Sequence, residues 1–173
     1  MSIDVFLSSI VDIAIGIAGF AGIIAAIQHR GLAEWPARQR VLLQILFFSS
    51  AMAVVFALLP SVLVSAEIPP ALVWKTGSGA LLAWYIGIVP YRITQNRKFG
   101  AARSLPPLLV LWAALAASLQ IYNLATSGTA WPYLFGIFSL VVNGFSVFLL
   151  LLLGKGFDAR DRPRPGQSED SDT

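Results

Sequence analysis

Two charged residues lie within otherwise apolar stretches of this chain, and their types could support chemistry. Asp12 stands in "SIVDIAIGIAGF" and Lys75 stands in "VWKTGSG". A charged side chain at the centre of a bilayer costs about 2.5–3.5 kcal/mol on insertion scales, so such residues usually face protein and have a partner. We therefore predict an ion pair between Asp12 and Lys75, because the long lysine stem can bridge a small difference in depth.

This charge pair has three interpretations. In the first, it is a polar clamp that joins two helices. In the second, Asp12 binds a cation or a proton and Lys75 regulates that site. In the third, Asp12 is protonated and hydrogen-bonded to Ser8 or Ser9. Lys75 also shares a helix face with Ser78, which leaves intramembrane Ser/Lys chemistry as an alternative to a non-enzymatic protein.

Small and polar residues at helical spacing predict close helix packing. Two seams of small residues recur every fourth position, and such spacing lets helix backbones approach closely. The seams are Ala14, Ala18, Gly22 and Ala26, followed later in the chain by Gly79, Ala83 and Gly87. Asp12, Gly16 and Gly19 share a further stripe, which we expect to face protein. A polar stripe of Ser139, Asn143 and Ser146 indicates either an interhelical hydrogen-bond seam or a pore lining, and we favour the seam.

The sequence excludes several classes of site. It contains no cysteine and one histidine, His29, so disulfides, thiolate metal sites and a bis-histidine haem within one chain are excluded. His29 also lies too near the predicted membrane surface to act as the catalytic histidine of an intramembrane serine protease. No phosphate-binding loop or nucleotide signature is present. We predict no cofactor, no metal site and no nucleic-acid partner.

The elements that must position these residues are helices in a bilayer. Hydrophobic residues make up 57% of the 173-residue chain and charged residues 12%, whereas soluble domains carry about 25% charged residues. A bilayer core of about 30 Å needs about 20 apolar residues as helix. Five stretches meet this requirement, and they run over about 5–27, 41–64, 71–89, 107–124 and 133–154.

The positions of the basic residues predict the orientation. Lys and Arg cluster between the first and second stretches, between the third and fourth, and after the fifth, whereas "SAEIPP" and "TSGTAWP" contain neither. Because short basic loops stay in the cytoplasm, we place the N-terminus outside and the C-terminus in the cytoplasm of a bacterial inner membrane. The same basic residues could bind anionic lipid headgroups at the cytoplasmic face.

These features predict an all-α architecture. Residues 1–157 form a multi-pass bundle of five transmembrane helices in the lipid bilayer, and residues 158–173 form a disordered cytoplasmic tail, because that tail is too polar to repay its ordering entropy. The leading functional hypothesis is a non-enzymatic accessory or scaffold subunit that binds its own copies or another membrane protein. The alternative is a small channel or transporter for a cation or small solute, working as a homo-oligomer, in which Asp12 forms a carboxylate ring.

Overall fold

A computed structural model describes residues 2–27, 37–98 and 107–158, and these residues form five helices with no strand among them. The helices are α1 (Ile3–Ile27), α2 (Ala37–Ser65), α3 (Pro70–Lys98), α4 (Pro107–Ala125) and α5 (Ala130–Asp158). The all-helical prediction is confirmed for this part of the chain. Most of the predicted tail and much of two basic segments lie outside the described residues.

Each helix covers one of the predicted apolar stretches, and most extend beyond it. The α3 helix continues to Lys98 and the α2 helix begins at Ala37. Pro70 and Pro107 occupy the first position of their helices, where the missing N–H would have no intrahelical partner. Long apolar runs become helices because a backbone within hydrocarbon must satisfy its own hydrogen bonds.

In the part of the chain that the structure describes, three helices contain a segment that is long and apolar enough to cross a membrane. These segments are Ile3–Ile23, Gln39–Ser65 and Ala130–Leu152. In α4, the residues whose side chains the structure describes form an apolar stretch over Leu111–Ala125. The apolar run of α3 is interrupted by "KTGSG" near its start. The protein is therefore a membrane protein by length and composition, and its three clear candidate spans are in α1, α2 and α5.

Helix α5 lies at the centre of the bundle. It packs against each of the other four helices, with its largest contact on α2. Helix α1 packs against α2 and α5, whereas α3 packs against α4, α5 and α2. Leu7 of α1 and Tyr133 of α5 belong to one apolar cluster, and Ala21 of α1 and Val147 of α5 belong to a second. Helices α1 and α5 therefore run in the same direction.

The short loop between α2 and α3 uses a helix-ending motif in which a non-glycine residue adopts a left-handed conformation. The Ile68 N–H donates to the Leu63 carbonyl at 3.3 Å and the Glu67 N–H donates to the Val64 carbonyl at 2.9 Å, the pattern of a Schellman motif. Glu67 occupies the position that is usually glycine and has φ 59°. Its side chain is exposed.

We predict that Glu67→Gly stabilises the fold. A left-handed conformation costs a non-glycine residue about 1–2 kcal/mol, and glycine avoids this cost. Glycine also increases the conformational entropy of the unfolded chain, which offsets part of the stabilisation, so the net gain in stability is about 0.5–1 kcal/mol. Thermal unfolding in detergent micelles measures the effect. The matched control is Ala66→Gly in the same turn, because Ala66 does not have a positive φ and gains nothing from glycine. Equal or opposite shifts for the two variants would contradict the prediction.

Candidate functional site

The residues that combine polarity with burial lie where α3, α4 and α5 meet. Asn123 of α4 is fully buried, and its Nδ2 donates to Ser78 Oγ of α3 at 2.8 Å and to the Thr129 carbonyl at 3.0 Å. Its Oδ1 accepts the Thr129 N–H at 2.8 Å. Asn123 therefore holds the α4–α5 loop against α4 and connects this loop to α3.

A second amide lies one turn earlier on the same helix. Gln120 is fully buried, and its Nε2 donates to the Pro132 carbonyl at 2.7 Å and to the Ala116 carbonyl at 3.2 Å. A Cβ placed on Gly136 would lie 2.6 Å from that nitrogen, so α5 needs a glycine here to accommodate the amide. Within the described residues, Gln120 Oε1 and Trp112 Nε1 are the buried side-chain polar atoms without a hydrogen-bond partner.

Two buried tyrosines connect α5 to its neighbours through backbone carbonyls. The Tyr133 hydroxyl donates to the Phe56 carbonyl of α2 at 2.6 Å, and the Tyr85 hydroxyl of α3 donates to the Gly136 carbonyl at 3.0 Å. The Tyr133 ring lies directly over Gly77, where a Cβ would approach its Cε2 atom to 2.7 Å. Because a buried hydroxyl needs a partner, these bonds satisfy the tyrosines and fix the positions of three helices.

The predicted polar stripe of α5 divides into three environments. Asn143 Nδ2 donates to Ser49 Oγ of α2 at 2.9 Å, Ser139 is buried at 2% exposure, and the Ser146 hydroxyl donates to the Val142 carbonyl of its own helix at 2.7 Å. Asn143 thus contributes a side-chain hydrogen bond to the α2–α5 contact. This geometry supports the hydrogen-bond interpretation over a pore lining.

We predict a small favourable coupling between Ser49 and Asn143. Side-chain hydrogen bonds between membrane helices contribute about 0.6 kcal/mol on average, with a maximum near 1.7. A double-mutant cycle on Ser49→Ala and Asn143→Val, read as free energy of unfolding, measures the coupling. Ser146→Ala combined with Ser49→Ala is the control and is expected to be additive. A coupling of zero in the first cycle would contradict the assigned bond.

The structure does not bring Asp12 and Lys75 together. Asp12 is exposed on α1, and it makes no hydrogen bond or ion pair with any described residue. Lys75 is half-buried, and its stem lies against Gly128 of the α4–α5 loop. The hydroxyls of Ser8 and Ser9 donate to backbone carbonyls of their own helix.

Contacts with α5 explain the separation in depth. The Phe20 ring of α1 packs on Phe148 with centroids 5.9 Å apart, and Gly77 of α3 lies under the ring of Tyr133. Since α5 advances about 22 Å between its two contact residues at 1.5 Å per residue, the carboxylate of α1 lies roughly 13 Å further along the bundle than the lysine of α3. A lysine stem does not bridge that distance between helices that are not close neighbours.

The predicted small-residue seams also divide between buried and open positions. Ala14 is buried at 1% exposure, whereas Ala18 and Gly22 are intermediate and Ala26 is exposed. In α3, a Cβ on Gly79 would make an ordinary contact with Leu124 at 3.7 Å. Ala83 and Gly87 are exposed, and nothing lies within 4 Å of a Cβ on Gly22 or Gly87. These seams are only partly used within the bundle.

The chain matches no protein-family model, no curated protein and no solved structure. The function must therefore be argued from the geometry. In the part of the chain that the structure describes, no group of three His, Cys, Asp or Glu side chains is placed to hold a metal ion. Among the described residues, the buried polar groups fix helices and a loop to one another, and Asp12 is an exposed carboxylate within an apolar stretch.

Sequence reasoning missed the importance of two amides. Gln120 and Asn123 lie near the end of the fourth apolar stretch, where a position close to the membrane surface gives no sign that an amide is buried. Their spacing of three residues places both on one face of α4, and "TSGT" follows directly as a turn. A pair of amides on one helix face just before such a turn is the signal that could have identified them.

Proposed function

We propose that this chain is a non-enzymatic membrane protein that acts by interaction, as an accessory or scaffold subunit of a membrane assembly. One observation carries the proposal: polar side chains in the interior bond to neighbouring helices, whereas Asp12 is presented on the outside of the bundle. The amide of Asn123, the hydroxyl of Tyr133 and the amide of Asn143 are all engaged between elements. The interior is used for structure, and the outer surface remains for recognition.

The proposal includes the orientation and the span count. We propose five membrane crossings in a bacterial inner membrane, with the N-terminus outside and the C-terminus in the cytoplasm. Support comes from the α2–α3 and α4–α5 loops, which carry no Lys or Arg. Arg40, in the first turn of α2, is exposed at the opposite end of that helix from Glu67, where it could meet anionic headgroups.

Single-cysteine labelling tests this orientation cleanly, because the natural chain has no cysteine. Ser2→Cys and Ser127→Cys are expected to react in intact cells with a maleimide that cannot cross membranes. Ser168→Cys is expected to react after the cells are permeabilised. The reverse pattern would overturn the orientation, and labelling of Ser2 and Ser127 from opposite sides would overturn the span count.

Reconstitution tests the choice between an interaction role and transport. The purified full chain in liposomes loaded with a potassium- or proton-sensitive dye is expected to give no cation flux above that of empty liposomes, with gramicidin as the positive control. Cation flux that falls in Asp12→Asn would overturn the proposal in favour of the channel, in which neighbouring copies form a carboxylate ring. The absence of flux, together with a defined complex in native membranes, is the result that the proposal expects.

A further inference from the structure

The outward face of α1 is centred on Asp12. Leu7, Ile10 and Ala14 form the buried face of this helix. At about 100° per residue, Asp12, Gly16 and Gly19 lie on the opposite side. All three are exposed, and nothing lies within 4 Å of a Cβ built on Gly16 or Gly19. The α1 docking face, as we call Asp12, Gly16 and Gly19, is therefore not covered by any of the residues that the structure describes.

A carboxylate in this position needs a partner from outside the chain. Asp12 lies nine residues into a helix that starts at Ile3, which places it about 13 Å from that helix end. Aspartate has one methylene group and cannot extend its charge to the membrane surface as lysine does. Intramembrane charges are costly and usually face protein, so an exposed Asp12 is expected to meet a partner.

The charges of the chain exclude a second copy as the source of the counter-charge. Across the five apolar stretches, Asp12 and Lys75 are the only charged residues, and Lys75 lies roughly 13 Å from the level of Asp12 along the bundle. Copies related by an axis along the membrane normal keep every residue at its own depth. A second copy would therefore present no cation to Asp12, and a symmetric α1–α1 contact would oppose two carboxylates.

We infer that the α1 docking face binds a transmembrane helix of a different membrane protein that carries a lysine or arginine at the depth of Asp12. The inference rests on the proposed function and names the partner's chemistry. The open backbone at Gly16 and Gly19 lets a second helix approach closely, which shortens the distance between the opposite charges. An ion pair in low dielectric is stronger than one in water, and its specificity comes from matched depth.

A designed helix provides a direct probe of this inference. The full chain is reconstituted in liposomes with a labelled leucine–alanine transmembrane peptide that carries one lysine at the depth of Asp12, and association is read by energy transfer. A leucine peptide and a peptide with lysine two turns nearer the surface serve as references. We expect the matched lysine peptide to bind about tenfold more tightly than either reference, because one buried charge pair of moderate strength contributes a difference in affinity of that size.

Three variants assign the contact to this face. Asp12→Asn should remove the preference for lysine, and Gly16→Leu should weaken binding by blocking close approach. Asp4→Asn is the matched control, because Asp4 is the other acidic residue of α1 and is also exposed, and it should leave the preference unchanged. Asp12→Lys should shift the preference to a peptide with glutamate at the same depth.

The outcomes separate failure of this inference from failure of the proposed function. Equal binding of the lysine and leucine peptides, or a preference for lysine that persists in Asp12→Asn, would overturn the inference. Neither result would change the ion-flux result on which the proposed function depends. Energy transfer between two labelled copies that is lost in Gly16→Leu would show that a second copy occupies the face, and would overturn it as well. Cation flux through the chain alone would overturn the proposed function itself.

Discussion

Gly128→Ala is expected to lower the free energy of unfolding by about 3 kcal/mol. Gly128 has φ 71°, a conformation that costs a residue with a Cβ about 1–2 kcal/mol. The added Cβ would also lie 2.5 Å from the Ala71 carbonyl oxygen and 2.8 Å from Lys75 Cγ. A backbone oxygen in the first turn of α3 cannot yield without moving the helix, so overpacking adds about 1–3 kcal/mol.

The matched control for this substitution is Gly22→Ala. Gly22 lies within α1, and nothing lies within 4 Å of a Cβ at this position. Alanine there is expected to be neutral or to stabilise the helix by up to about 1 kcal/mol. Thermal or denaturant unfolding in nanodiscs measures both variants. Similar stability of Gly128→Ala and Gly22→Ala would show that the α4–α5 loop does not press on α3 as described.

Asn123→Ala is expected to destabilise the fold by about 2–3 kcal/mol. The substitution removes the acceptor of the Thr129 N–H and the donor to Ser78 Oγ, both at 2.8 Å. Asn123 and Ser78 are fully buried, and a buried group left without a partner costs about 1–3 kcal/mol. The loop is expected to loosen as well, with faster hydrogen exchange at the Thr129 amide.

Two further variants separate the hydrogen bonds from the volume of the side chain. Asn123→Asp keeps an acceptor for the Thr129 N–H but loses the donors, and should fall between the wild type and Asn123→Ala in hydrogen exchange at that amide. Ser118→Ala removes a hydroxyl that bonds only to the Ala114 carbonyl of its own helix and should change stability little. If Asn123→Ala and Ser118→Ala have equal stability, the network at Asn123 contributes nothing and the account of this site is wrong.

The helices could be predicted from the sequence because apolar length alone identifies them. Each predicted stretch lies within one helix of the structure, and three segments among the described residues are long and apolar enough to cross a membrane. The ends were less predictable. Helix α3 continues to Lys98, nine residues past the predicted end of its span, because a helix can leave hydrocarbon without changing its backbone bonds.

The inward faces could not be predicted in the same way. In a soluble helix the polar side reveals which face is outward, but in a bilayer both faces are apolar and this contrast is lost. Periodicity grouped Asp12, Gly16 and Gly19 on one stripe, but it could not show that no other helix of this chain covers them, since all three are exposed. The stripe lies opposite the face that packs on α2 and α5.

The polar contacts depended on tertiary packing. The hydrogen bond between Asn123 and Ser78 joins residues 45 positions apart, and that between Tyr133 and Phe56 joins residues 77 positions apart. No local pattern fixes such partners, because they depend on which helices become neighbours and at what relative depth. The same dependence on relative depth separates Asp12 from Lys75, which the sequence had suggested as a pair because intramembrane charges usually have a partner.

The central claim is that Asp12 faces outward and has no partner within the described bundle. The stability of Asp12→Asn tests it most directly, measured on the isolated chain in nanodiscs. Because Asp12 has no partner within the described bundle, the account predicts that this substitution is neutral or stabilising, by up to about 2 kcal/mol as the cost of an exposed intramembrane charge is removed. It also predicts that Lys75→Met has the same effect whether residue 12 is Asp or Asn. Destabilisation by Asp12→Asn that disappears in the Lys75→Met background would contradict the account, since the two charges would then be coupled inside the bundle.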